Sequence, residues 1–120
     1  MKRERIEQLL HAIVTRYCQN HLPPNLTGGI MTTLTQVTLS PRLDKATFYL
    51  SFFGGKDPID QETFLKQYIL PHSWPIRKEI AQQLRHKVGV VPKEIVFHLD
   101  PIPTQAAAIE ALLAHIKSKG

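Results

Sequence analysis

The chain has little sulfur and no long apolar stretch, and each shortage excludes a class of protein. Cys18 is the single cysteine among 120 residues, which excludes an internal disulfide and a cysteine-based zinc site and suits a reducing compartment. No apolar run approaches the ~20 residues that cross a bilayer, so we expect no membrane helix. Basic residues near the N-terminus are followed by acidic residues and glutamine, so we expect no secretory signal. These features predict a cytoplasmic protein.

The motifs of catalysis and of cofactor binding are also missing. Neither a P-loop nor a GxGxxG pattern occurs, and the six histidines lack the spacing of helical metal ligands. Acidic residues are few and scattered, without the close pair that acid–base chemistry needs. Cys18 follows the apolar stripe of the first helix, and no base is evident to activate it, so we expect a small residue in or flanking the core. We therefore predict no enzyme activity, no cofactor and no metal.

The charge that is present is mostly positive. Fifteen lysines and arginines against ten acids give a net charge of +5, with a pI near 9.6. Such a balance favours a polyanionic partner, although a merely soluble basic protein has the same composition. Hydrophobic residues at 42% and charged residues at 21% are ordinary for a folded domain. We expect one domain over residues 1–120, with residues 117–120 as a flexible tail.

Alternating apolar residues predict three strands. Two of them, Ile30–Leu39 and Lys45–Phe53, are separated by a short turn and should form an antiparallel hairpin. In the first strand, Thr35 alternates in phase with Val37 and is assigned to the same face. The third strand follows Pro92.

Helical periodicity predicts a helix over residues 2–19 and a second helix that begins at Asp60 as its N-cap and runs through Leu70. Pro71 is expected to end the second helix, because proline lacks the backbone N–H that continues a helix. Residues 72–74 are then expected to form a break.

Two further helices complete the pattern. One has Pro75 in its first turn and ends at Gly89, positions that favour proline and glycine. The other is an additional C-terminal helix capped by Thr104. This order predicts an α+β fold, with a three-stranded sheet covered by helices on one face.

The most informative cluster of the chain lies on the helix that follows the break. Lys78 and Arg85 are seven residues apart and share the face opposite the apolar stripe, where Gln82 and His86 adjoin them. Such a surface contacts phosphates and 2′-hydroxyls, although a solvated helix face has the same pattern. The basic N-terminus extends the surface if the first helix packs alongside. The candidate RNA-binding residues are Arg77, Lys78, Arg85, His86 and Lys87, with Lys2, Arg3 and Arg5 as the extension.

Trp74 lies between Pro71 and Pro75 and has two interpretations. It is a platform on which a base stacks, or it fills the core at the helix break. We favour the core position, because tryptophan is highly buried on average. Tyr49 and Phe53 on the hairpin have the same two interpretations.

The hairpin of residues 37–51, the basic helix of residues 76–87 and the segment of residues 91–100 together resemble the ribosome-binding factor A family. Residues 37–51 contain a Ser-Pro-x-Leu turn, an alanine that opens the second strand and a Tyr-x-Ser ending. Residues 76–87 resemble that family's Ile-Arg-led basic helix. Val91-Pro92, followed by Ile95, Phe97 and Asp100, resembles its closing strand. The match in order and spacing covers nearly the whole chain.

The resemblance implies a type II KH fold in which a helix-kink-helix replaces the usual GxxG loop, here at residues 71–75. It also implies binding to the immature small ribosomal subunit and its rRNA, and support of 5′-end maturation without catalysis. This sequence departs from the family at the kink, where Trp74 and Pro75 stand in place of small residues.

Taken together, we expect a monomer that binds the small subunit and its rRNA and does not bind a membrane. Two alternatives remain open from the residues. One is a KH-like module for another RNA, and the other is a protein-interaction domain whose exposed apolar residues dock a partner.

Overall fold

The computed structural model describes residues 2–54 and 60–100. Helix α1 spans Lys2–His21, which confirms the predicted helix and extends it by two residues. Its apolar residues recur every three or four positions and are buried, while its charged residues remain at the surface. A short 3-10 turn, Pro24–Leu26, leads into the sheet.

The sheet has the three strands expected from the sequence, and their order in the sheet is β1-β2-β3. Strands β1 (Ile30–Leu39) and β2 (Lys45–Gly54) form the predicted antiparallel hairpin. Strand β3 (Glu94–Leu99) lies parallel to β2 on its other side. A parallel neighbour requires a crossover connection, and the helices between β2 and β3 provide it.

A β-bulge in β1 corrects one prediction. Leu34 pairs with Leu50 and Gln36 pairs with Tyr49, so Thr35 is the extra residue of β1. An extra residue reverses which positions face the core. Leu34 therefore takes the buried position on that side of the bulge, and the prediction that Thr35 shares the core face with Val37 is wrong.

The helix predicted to begin at Asp60 does so. The Asp60 side chain accepts a hydrogen bond from the backbone N–H of Glu62, and α2 follows as Gln61–Phe64. The backbone then widens into a π-helical turn, Leu65–Ile69, and tightens into a 3-10 turn, Leu70–His72.

The prediction of a break at residues 72–74 is wrong, because the chain stays helical there. Helix α3 spans Ser73–Lys87 and follows the 3-10 turn directly, so Ser73 and Trp74 are helical. Proline in an α-helix clashes with the carbonyl four residues earlier, and the wider turn before Pro71 changes that spacing. The chain passes the proline by changing its helical pitch at residues 65–72, which overlaps the predicted kink at residues 71–75 only at Pro71 and His72.

Helix α3 ends where the sequence predicted. Gly89 has a positive φ of 69°, a conformation that costs glycine little because it has no Cβ. The backbone N–H groups of Val88 and Gly89 both donate to the carbonyl of Leu84. The Leu84 carbonyl, one of the last four of the helix, is therefore satisfied, as at other helix ends that are capped by glycine.

One hydrophobic core joins the helices to one face of the sheet. Alternate residues of β2 are buried there, and Phe48 and Phe52 are the largest. The core includes Ile6, Leu10, Val14, Leu34, Val37, Ala46, Phe48, Leu50, Phe52, Phe64, Ile69, Ile76, Ile80, Leu84 and Phe97. The predicted helix capped by Thr104 and the tail at 117–120 lie outside the described residues.

Candidate nucleic-acid interface

Helices α1 and α3 pack against each other in opposite directions, which joins the two basic segments of the sequence. At one end, Lys2 and Arg5 of α1 line an open groove with Lys87 of α3. At the other end, the Tyr17 hydroxyl and Nδ1 of His72 share a 2.7 Å hydrogen bond. Helix α1 therefore packs alongside α3, but the groove contains none of Lys78, Gln82 and Arg85, so the extension of that surface by the N-terminus stays a prediction.

Lys78 and Arg85 are exposed on the face of α3 opposite its buried stripe. Helical geometry places residues seven apart nearly in line, roughly 10 Å apart along the axis. The ion pair found within residues 2–54 and 60–100 joins Lys66 and Glu62. Neither Lys78 nor Arg85 therefore has a carboxylate within ion-pair distance in this part of the chain. In the part of the chain that the structure describes, no ion pair therefore competes with an anion from solvent for these two positive charges.

Arg77 has a structural contact as well as a charge. Its guanidinium donates a hydrogen bond to the backbone carbonyl of Lys93. The N–H groups of Lys93 and Glu94 in turn donate to the carbonyl of Asp44. Arg77 therefore ties α3 to the segment that leads into β3, although the side chain remains exposed.

The remaining predicted residues divide between two places. His86 is exposed on α3 but lies about 80° around the helix from Lys78, given 100° per residue. Lys87 belongs to the groove with the N-terminus of α1, and Arg3 is exposed on the first turn of that helix. Cations at a helix C-terminus stabilise the helix, whereas those at an N-terminus oppose its dipole. Helix stability therefore explains Lys87 but not Arg3 and Arg5.

Trp74 is 71% exposed, so the favoured core position is wrong. The buried stripe of α3 begins at Ile76, and a residue two positions earlier points away from that stripe. Trp74 lies one turn before Lys78 and on the same face. Phe53 is partly exposed at the end of β2, whereas Tyr49 is half-buried and its ring approaches His98.

The sequence did not reveal a cluster of three rings, from Tyr17, His21 and His72, at the 3-10 turn that precedes α3. Tyr17 stacks on His21 with ring centroids 4.2 Å apart and meets His72 edge-on. Burial lowers the pKa of His72 below its usual 6.5, and the nearby His21 lowers it further. The i, i+4 spacing places Tyr17 and His21 on one face of α1, but no local signal brings His72 to them, because His72 lies in the 3-10 turn Leu70–His72.

Cys18 is buried, as predicted, and burial raises the pKa of its thiol to about 11. Within residues 2–54 and 60–100, no three histidine, cysteine, aspartate or glutamate side chains gather in a way that would hold a metal. No helix in this part of the chain has the length and apolar character to span a membrane.

Comparison with known proteins identifies the family. The family model for ribosome-binding factor A matches residues 2–113. The chain belongs to the ribosome-binding factor A family.

Relatives of that name agree with the assignment. The Cytophaga hutchinsonii ribosome-binding factor A is 32% identical over 91 residues, which is 76% of this chain and 65% of the relative. The Bartonella bacilliformis protein is 32% identical over 107 residues, covering 89% of this chain and 78% of the relative. The Chloroherpeton thalassium protein is 26% identical over 113 residues, covering 94% and 85%.

A solved structure shows the same fold. The crystal structure of ribosome-binding factor A from Thermus thermophilus superposes with a TM-score of 0.61, at 18% identity, over 81% of this chain and 94% of that one. The mixed three-stranded sheet with its helices is therefore the α+β architecture found in a member of the ribosome-binding factor A family.

Proposed function

We propose that this protein is an assembly factor that binds the immature small ribosomal subunit and its rRNA in the cytoplasm. In this proposal it supports late maturation and 5′-end processing of that rRNA, as a monomer and without catalysis of its own. The relatives are named as ribosome-binding factors. The observation that carries the RNA contact is the exposed face of α3, where Lys78 and Arg85 have no carboxylate neighbour among the described residues.

The geometry of α3 suits a phosphate backbone. Lys78 and Arg85 are separated by roughly 10 Å along the helix axis, so each side chain can contact a different phosphate. Gln82 lies between them on the same face and is exposed, and its amide has donors for a phosphate oxygen or a 2′-hydroxyl. The groove lined by Lys2, Arg5 and Lys87, together with Glu4, lies on another side of α3, because Lys87 is about 180° around the helix from Lys78.

Binding of this kind depends strongly on salt. Each phosphate neutralised by a cation contributes a slope of about −0.7 to −0.9 in log affinity against log salt concentration. Two contacts, from Lys78 and Arg85, therefore predict a loss of roughly tenfold between 50 and 200 mM salt. An RNA affinity that stays constant over this range would contradict the phosphate contacts.

The decisive experiment is co-sedimentation with immature and with mature small subunits. We expect the protein to sediment with immature subunits, and the double variant Lys78→Glu/Arg85→Glu to lose that association while its circular dichroism stays unchanged. The matched control is Arg16→Glu/Lys45→Glu, which changes the net charge equally, at one arginine and one lysine exposed outside α3.

Each outcome decides between sites or functions. If the α3 variant still binds, the RNA contact lies elsewhere on the protein. Equal loss in the control assigns the effect to net charge instead of to α3. Absence of co-sedimentation by the unmodified chain contradicts the assembly-factor proposal itself.

A further inference from the structure

Trp74 is a large apolar surface in the first turn of α3 that the described fold does not use. The side chain is 71% exposed, and within residues 2–54 and 60–100 it makes no ring contact or hydrogen bond. Burying an aromatic side chain of this size stabilises a fold by roughly 1.5–3 kcal/mol, and the free protein forgoes that stabilisation here. Exposed tryptophan in a defined position is typical of an interaction surface.

The neighbours of Trp74 on α3 are cations. Lys78 is four residues away and Arg85 eleven, so both lie within about 40° of Trp74 around the helix. Ala81 lies between these side chains and is small, which allows a ligand to approach the helix closely. The face therefore presents one aromatic platform followed by two positive charges over roughly 17 Å of helix.

We propose that Trp74 stacks on an unpaired base of RNA while Lys78 and Arg85 hold the adjoining phosphates. This inference rests on the proposed RNA-binding function and specifies what that surface recognises. An indole ring stacks on any base face, whereas paired bases within an RNA helix have both faces covered. The positive neighbours favour a nucleic acid over an apolar protein partner, because an apolar partner would have to desolvate both cations.

The test uses the fluorescence of the full chain, in which Trp74 is the only tryptophan. The probes are a single-stranded oligoadenylate of about twelve nucleotides, within the range that single-strand binding sites cover, and an RNA duplex of the same length. We expect the single strand to quench Trp74, and the duplex to bind through phosphate contacts with little quenching.

Affinity measurements on variants complete the test. Trp74→Ala removes the ring on which one base stacks, so we expect single-strand binding to weaken by roughly 5- to 150-fold. The salt slope should not change in this variant, because no cation is lost, and Trp74→Phe should recover much of the affinity. The control is Leu26→Ala, which removes a 64% exposed apolar side chain in the 3-10 turn far along the chain.

The outcomes separate this inference from the function on which it rests. Salt-dependent RNA binding that neither quenches Trp74 nor weakens in Trp74→Ala overturns the stacking role and leaves the RNA-binding proposal intact. Absence of RNA binding by the unmodified chain overturns both. Salt-insensitive association of Trp74 with subunit proteins, without RNA affinity, assigns this side chain to a protein contact instead.

Discussion

The hydrogen bond between Thr35 and Asp100 should contribute measurably to stability, because it joins the two outer strands across the central one. The Thr35 hydroxyl lies 2.6 Å from Oδ2 of Asp100 and 3.1 Å from the carbonyl of Tyr49. Asp100 is only 4% exposed, and its backbone N–H donates to Leu50 of β2. The bulge at Thr35 places this hydroxyl toward the end of β3.

Thr35→Val keeps the shape of the side chain and removes the donor. A hydrogen bond to a charged group contributes about 1.5–3 kcal/mol, and loss of the donor removes a partner from a buried carboxylate. With a typical urea dependence for a small domain, the unfolding midpoint should fall by roughly 1 M. Urea denaturation followed by circular dichroism measures this change.

A double-mutant cycle with Asp100→Ala isolates the pair, because alanine leaves no acceptor for the Thr35 hydroxyl and the other contacts of Asp100 cancel in the cycle. The matched control is Thr38→Val, a half-buried threonine on the same strand. The reasoning is refuted if Thr35→Val is no more destabilising than Thr38→Val, or if the coupling free energy in the cycle is near zero.

Three further predictions concern the helices. Because burial raises the pKa of Cys18 to about 11, its thiol should react with a disulfide reagent much more slowly in the folded chain than in urea; equal rates would contradict burial. Burial and His21 lower the pKa of His72 in the folded chain, so the unfolded chain binds a proton at this histidine at a higher pH than the folded chain does. Stability that is present above pH 6.5 is therefore lost as the pH falls from there through the pKa of the folded chain. His72→Gln, which keeps an acceptor for Tyr17, should lose less stability between pH 7 and pH 5 than the unmodified chain, and identical pH profiles would exclude His72 as the source. Ile80→Ala, at a fully buried position of α3, should lower the free energy of unfolding by about 2–5 kcal/mol in urea denaturation, whereas a change below 1 kcal/mol would mean that the site collapses around the cavity.

The elements of this protein that have local signals were predictable. The alternation of β2 and the N-cap at Asp60 each depend on a few neighbouring residues, as does the glycine stop at Gly89. Periodicity and capping act within one or two turns, so the order of residues along the chain is enough to recover them. The family resemblance, which rests on the order and spacing of such elements, was confirmed for the same reason.

The candidate site was only partly predictable. The exposed face with Lys78 and Arg85 follows from the helical repeat of α3. The anchoring of Arg77 to the carbonyl of Lys93 does not, because it depends on how α3 packs beside the segment before β3. Trp74 was misplaced because the helix was expected to begin after it, whereas the π and 3-10 turns allow α3 to begin at Ser73.

By itself, the amino-acid order determined the three strands, the first helix and the charged face of α3, but not the continuous helical path through residues 72–74. Only the tertiary structure decided that Thr35 is a bulge, that α1 lies antiparallel to α3, and that Tyr17 meets His72. The physical reason is the distance along the chain over which each kind of interaction acts. Backbone propensity and apolar repeat act between near neighbours, whereas register, packing direction and side-chain pairing depend on residues that meet only after the chain has collapsed around its core.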